Sequence, residues 1–247
     1  MALPGIAGWK TELVRVTLFA NEPVSAIGKN WWQAATGVAP ESVLTKPQAS
    51  EHTESGPMPN GEGVLEVKVS FNRVDWLHYS TPNMEVEPPT LGEASASLNS
   101  LTSFISNWLD SDSTPWIRIA YGAVCQRKAE NFISANECLI SYCPQLKFDP
   151  NQARDLALQV NFPRRSQTSA DLEVNRICKL MTSVAQFITF NPGAIAPSIS
   201  NQHFSRIELD INTPGEQTNI ISRTASKELL NEFINQSFDI LDSGLKP

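Results

Sequence analysis

The common signatures of catalysis are missing from this sequence. It contains no GxxxxGK[ST] or GxGxxG phosphate loop, no HExxH zinc motif and no GxSxG nucleophile elbow, which removes the usual nucleotide, zinc-protease and serine-hydrolase readings. Histidine is scarce. His52, His78 and His203 are the whole inventory, and no pair has the i, i+4 spacing that sets two imidazoles on one helix face. The four cysteines, Cys125, Cys138, Cys143 and Cys178, are too few for a disulfide scaffold in 247 residues. Cys138-x4-Cys143 also lacks a second close Cys/His pair to complete a zinc site. The thiols are expected to be reduced and mostly buried, and neither metal nor cofactor is expected.

Positive charge is short as well. Nineteen Lys and Arg against 26 Asp and Glu leave a formal charge of −7 and a pI near 5.0, which argues against a general affinity for nucleic acid. No apolar run approaches the roughly 20 residues that span a bilayer. Met1-Ala2-Leu3-Pro4-Gly5 has neither the basic start nor the apolar stretch of a signal peptide. The expectation is a cytoplasmic protein without membrane contact.

What the sequence does carry is alternation, and a pattern that occurs twice. Leu65-Glu-Val67-Lys-Val69-Ser-Phe71-Asn-Arg73 and Leu156-Ala-Leu158-Gln-Val160-Asn-Phe162-Pro-Arg164 share the order apolar-x-apolar-x-Val-x-Phe-x-Arg. Around the first copy, period-two alternation predicts strands at 12–19, 64–71 and 74–80. A helix opens at Asn21-Glu22-Pro23, with Val24, Ile27, Trp31 and Ala34 as its stripe and Gly37 as its stop. Residues 38–63, rich in Pro, Ser, Glu and Gly, read as a long loop. A Pro-rich connection at 82–89 leads to a helix over 91–109.

The second half restarts with Ile117-Arg118-Ile119 as a strand and Phe132, Ala135, Leu139 and Tyr142 as a helix stripe. Strands at 156–162 and 204–211, a long strand or bent hairpin at 176–190 and a helix at 223–242 complete it. Residues 163–173 form a basic, polar connection, and Pro192-Gly193 marks an irregular one. The expected fold class is therefore α+β: two β-α-β-β-(β)-α units, 1–112 and 113–247, with mainly antiparallel sheets covered by helices and related by a pseudo-twofold duplication.

Four groups of residues are candidates for function. On a strand, period two sets Arg73, Asp75 and Tyr79 on one face, with His78 on the other beside Trp76. Arg73 and Asp75 could hold a polar ligand, although a plain ion pair across a turn, with Trp76 packed in the core, is the simpler account. Glu208, Asp210 and Asn212 alternate with Leu209 and Ile211, so their polar groups share one face. Two such carboxylates could hold Mg2+ if Asp75 supplied a third ligand, and any half-exposed strand has the same alternation. Arg164 and Arg165, with Arg154, Arg176 and Lys179 nearby in sequence, form the densest basic neighbourhood and could receive phosphate, RNA or an acidic partner surface, although a solvated loop or intramolecular pairing is the simpler account. Trp31 and Trp32 are adjacent, so both cannot point into one narrow helical stripe. They are candidate interface anchors together with Trp76.

Trp31-Trp32-Gln33, Thr36-Gly37-Val38-Ala39-Pro40-Glu41, Arg73-Val74-Asp75-Trp76 and Leu209-Asp210-Ile211-Asn212-Thr213 together resemble a sporadically distributed, uncharacterised bacterial protein family. The resemblance brings no catalytic residues. It implies a cytoplasmic accessory protein of the kind found beside phage-defence genes. The leading expectation is thus a non-catalytic regulatory protein that binds a partner protein, with homo-oligomers allowed. The alternative is a small-molecule or nucleotide-binding enzyme whose cleft lies between the two units, using Arg73, Asp75, Glu208 and Asp210.

Overall fold

A computed structural model describes residues 3–246 except 27, 60, 82–86, 146, 148, 170 and 190–196. Ile27 of the expected helix stripe, most of the Pro-rich connection and Pro192-Gly193 lie outside the described residues. The chain runs β1 (Lys10–Ala20), α1 (Trp31–Thr36), β2 (Ser42–Lys46), a 3-10 turn (Pro47–Ala49), β3 (Glu51–Pro57), β4 (Val64–Ser70) and β5 (Arg73–Tyr79). It continues through α2 (Ala94–Ser97), α3 (Thr102–Ser111), β6 (Trp116–Ala129), α4 (Phe132–Tyr142), β7 (Ala157–Asn161), β8 (Arg164–Arg165), β9 (Glu173–Thr189), β10 (Ser198–Asn212) and α5 (Arg223–Ser243).

The strands form one sheet in the order β2-β3-β4-β5-β1-β6-β10-β9-β7, with β8 attached to β9, and every pairing is antiparallel. The pleat divides it into two unlike faces. Val14, Val16 and Leu18 of β1, Trp76 of β5, Tyr121 of β6 and Ile207, Leu209 and Ile211 of β10 point to the helices and are buried. Helix α5 lays Leu229, Leu230, Phe233, Ile240 and Leu241 into this core. Ser222 caps its start by accepting from the Ala225 amide at 3.2 Å, and Gly244 follows its end at φ +75°. Among the described residues no helix covers the opposite face, where Arg15, Arg73, Arg118, Arg206, Lys179 and Glu208 line up. Arg15, at the centre of that row, is half-buried. This one-sided burial is the usual state of an antiparallel sheet.

Three expectations change. Residues 38–63 hold two strands, β2 and β3, rather than a loop. They escaped the alternation test because outer strands bury little: every residue of β2 is exposed. The helix expected from 21–23 begins only at Trp31. Val24 donates to the Phe71 carbonyl at 2.7 Å, so the preceding segment lies along the β4–β5 turn instead. The twice-written pattern also falls on unlike places. β4 is the second strand out from β1, whereas β7 is the third out from β6. Its apolar alternation is what any half-buried strand requires.

Candidate functional site

Asp75 faces the uncovered side and is 7% exposed. Thr17, its cross-strand partner on β1, donates to Oδ1 at 2.6 Å, and Arg73 Nη2 donates to the same oxygen at 2.7 Å. Arg73 also stacks on Phe19, whose ring carries Arg118 at 4.8 Å. This cluster is internally matched. His78 points the other way, into the helix layer, as the pleat requires.

Glu208 and Asp210 lie elsewhere on the same face. The register runs Asp75, Thr17, Ala120, Asn212 across four strands, so Asp75 is about 14 Å from the β10 carboxylate strand. That distance excludes a shared metal between Asp75 and Asp210. The four residues of the enzyme alternative therefore do not converge, and that arrangement of its site is not what the fold contains. Glu208 accepts from Arg206 at 2.6 Å and from Lys179 at 3.5 Å, while Arg206 also pairs with Glu12 at 3.1 Å. Among the described residues no group of three or more His, Cys, Asp or Glu is placed to hold a metal ion.

Glu208 and Asp210 do border a shallow depression of about 290 Å³ across β1, β6, β10, β9 and β7. Two register rows cross it: Leu13, Val124, Glu208, Lys179, Gln159 and Arg15, Gly122, Asp210, Ile177, Asn161. Gly122 has no side chain to fill its place, and the Arg15 guanidinium lies over it. A Cβ there would sit 3.5 Å from Arg15 Nη2. The sequence reading missed Arg15 because Val14-Arg15-Val16 looks like any solvent-facing strand position.

The tryptophans are not interface anchors. All six are buried, with Trp31 at 4%, Trp32 at 2% and Trp76 at 0%. Trp108 of α3 is the hub, with ring centroids 5.4 Å from Trp31, 5.5 Å from Trp76 and 5.6 Å from Trp116. Adjacent Trp31 and Trp32 can both be buried because α1 is wedged. One side meets α3, and the other meets Gly56 of β3, where a Cβ would stand 3.2 Å from the Trp32 ring.

Arg164 and Arg165 form the short strand β8 against Val174 and Glu173. Arg164 donates to the Lys246 carbonyl at 2.9 Å, and so does buried Arg176 at 3.3 Å. Burial, then the neighbouring Arg164 charge, holds the Arg176 guanidinium below its ordinary value. These arginines fasten the C-terminal segment to the sheet.

A cavity of about 450 Å³ lies between residues 23–26 and the β2–β4 edge. On its wall Thr45 Oγ1 is 2.9 Å from His52 Nδ1, and His52 Nε2 is 3.0 Å from Glu54 Oε1. The other Glu54 oxygen accepts the Trp32 amide at 3.3 Å, one of the donors a helix start leaves unpaired. The chain of bonds ties α1 to the sheet edge. The four cysteines are free thiols, and burial raises Cys125 to about 12, far from a reactive thiolate.

Another exposed feature is a two-stranded ribbon. β10 parts from β6 after His203, and β9 parts from β7 after Met181 with one further bond from the Thr182 amide to Leu156. Beyond these points residues 185–189 and 198–202 pair, among the described residues, only with each other. Ile188 and Ile199 are cross-strand partners, 53% and 60% exposed, and Val184 on the same face is 55% exposed. From Leu180 to Ser205 the chain carries no Asp, Glu, Lys or Arg. No helix among the described residues is long and apolar enough to cross a membrane. Comparison of the chain with family models, curated proteins and solved structures returns no match, so the functional reading rests on this geometry alone.

Proposed function

We propose that this is a non-catalytic binding protein that engages a partner protein through the β9–β10 ribbon. The observation that carries the reading is the exposed Val184, Ile188 and Ile199 face on a ribbon without charge. An isolated hairpin is at best marginally stable in water. Exposed apolar side chains on one gain most when a second surface covers them. Among the described residues no third strand pairs with either long edge of the ribbon, which suits the addition of a strand from the partner. Charged residues normally guard such edges against pairing, and this stretch has none.

The same feature favours a second reading, in which the partner is another copy of the chain, since two uncharged ribbons meet without repulsion. Purification from the native host followed by size exclusion with light scattering separates the two. A hetero-complex or a dimer, each lost in Ile188→Ser/Ile199→Ser without a change in melting temperature, supports ribbon binding. A lone monomer with no bound partner sinks it.

The architecture behind this reading is a duplicated unit. β1 and β6 pair at the centre of the sheet, each is followed in sequence by a helix, and each half closes with a longer helix, α3 or α5. β5 flanks β1 as β10 flanks β6. These correspondences support a pseudo-twofold between β1 and β6, with the extended ribbon as the part the second unit does not share with the first.

A further inference from the structure

Among the described residues, the uncovered sheet face neutralises many of its charges internally. Arg73 is matched by Asp75, Arg206 by Glu12 and Glu208, and Lys179 by Glu208. Arg118 rests on the Phe19 ring instead, and two opposite charges in the central depression have no charged partner. Arg15 makes no hydrogen bond or ion pair with another described residue, and Asp210 accepts only the neutral amide of Asn212, at 2.9 Å. They belong to one register row with Gly122 between them. Directly opposed residues have Cβ atoms about 5 Å apart. The Arg15 guanidinium lies over Gly122, beside Asp210 in the row, without pairing to it.

The charge balance selects the ligand. The charged side chains bordering the depression are Arg15, Lys179, Glu208 and Asp210, and they sum to zero. A simple anion gains at Arg15 what it loses near the two carboxylates, and a simple cation meets the converse. A ligand carrying both charges on neighbouring atoms gains at both ends. Leu13, Val124 and Ile177 supply apolar floor beside the pair. The volume of about 290 Å³ lies at the lower limit of small-molecule sites, so the ligand is small.

We propose that the Arg15–Gly122–Asp210 slot binds the zwitterionic head of a free α-amino acid with an apolar side chain. The carboxylate takes the planar fork of Arg15, which can be bidentate. The ammonium donates to Asp210, and the side chain rests on Leu13, Val124 and Ile177. Gly122 keeps the slot open. This site is independent of the ribbon, so Ile188→Ser/Ile199→Ser leaves it intact.

Calorimetric titration of the full chain with L-leucine, N-acetyl-L-leucine and L-leucinamide tests the inference, with backbone amide shifts locating the contact. Leucine is expected to bind and to shift residues 13, 15, 122, 124 and 210. Removing either charge from the ligand should weaken binding by tenfold or more. Arg15→Gln and Asp210→Asn should each weaken leucine by a similar factor at unchanged melting temperature. If N-acetyl-leucine equals leucine, the slot is a plain anion site and the proposal falls. It also falls if leucine at millimolar concentration shifts none of these amides. Because the blocked ligands are compared on the unaltered protein, neither result depends on how a variant folds.

Discussion

The Ser166 hydroxyl donates to Glu232 across 2.7 Å and joins the turn after β8 to the middle of α5. The same carboxylate accepts the amides of Gln167 at 3.0 Å and Thr168 at 3.2 Å and the Gln236 side chain at 2.9 Å. Glu232 is 8% exposed, so it is a buried charge held entirely by donors. Burial alone would raise its pKa, and the bonds from Ser166, Gln167 and Thr168 outweigh it and hold the carboxyl below its ordinary value of 4.5.

A carboxyl that titrates lower in the folded chain binds fewer protons there than in the unfolded chain. Its stabilisation is complete above about 4.5 and disappears as pH falls through the folded value. Glu232→Gln should cost about 1–3 kcal/mol near neutral pH, the penalty for weakening charge-assisted bonds in a buried site. Melting curves of the two proteins should converge as pH falls from 4.5 through the folded value. A gap that stays constant with pH would mean that Glu232 acts by packing alone.

His78 acts in a higher window. Its Nε2 donates to the Glu62 carbonyl at 2.8 Å, which leaves Nδ1 to accept from the Ser100 hydroxyl at 2.7 Å. Burial lowers its pKa from 6.5, and the Glu62 bond only partly offsets this. The folded chain therefore resists the proton that the unfolded chain accepts. Stability should be full above pH 6.5 and decline as pH falls from there to the folded value. His78→Gln should remove this part of the slope, read as a flatter melting temperature between pH 6.5 and 5, whatever its effect at pH 8.

Alternation made β1, β4 and β5 legible because one face of each is mostly apolar: Val14, Val16 and Leu18 have no exposed surface. It failed for β3, whose Glu51-His52-Thr53-Glu54-Ser55 contains no apolar residue, since a strand near the edge buries backbone rather than side chains. The helix expected over 91–109 breaks between α2 and α3, where Tyr121 donates to the Leu98 carbonyl at 2.6 Å. Nothing local in the sequence records that partner. The slot at Arg15 was illegible for the same reason. Its three members lie on β1, β6 and β10, and only the register brings them into one row. The buried tryptophans were misjudged because adjacency on a helix was weighed without knowing that α1 is packed on two sides.

Trp108 should be the most costly aromatic to lose. It touches Trp31, Trp76 and Trp116, and its ring joins α1, β5, α3 and the start of β6. Trp108→Ala should destabilise by about 3–5 kcal/mol, through lost burial and the cavity left behind. Denaturant unfolding measures this directly. A loss under 1 kcal/mol would show that the four rings do not share a rigid core. Trp32→Ala should behave alike in kind, changing stability and leaving ribbon-dependent association of the folded fraction unchanged.

Gly63 is a position where only glycine fits. It adopts φ +91°, and a Cβ would meet the Tyr79 carbonyl oxygen at 2.6 Å and Leu91 Cδ2 at 2.9 Å. Both faults act together, because rotating away from the backbone oxygen would require a still rarer conformation. Its carbonyl accepts the Met58 amide at 3.0 Å, and the preceding Glu62 carbonyl receives His78. Displacing residue 63 therefore also disturbs the carbonyl that holds the His78 ring in place. Gly63→Ala should lose at least about 1–3 kcal/mol from strain alone, with more from the clash. Gly61→Ala is the control. Its Cβ would approach only the flexible Met58 side chain, at 3.3 Å, and its φ lies outside the positive region. Equal effects of the two substitutions in thermal melts would refute the argument. A large loss for Gly63→Ala with little for Gly61→Ala would show that backbone approach at one residue, rather than general loop flexibility, fixes the seat of His78.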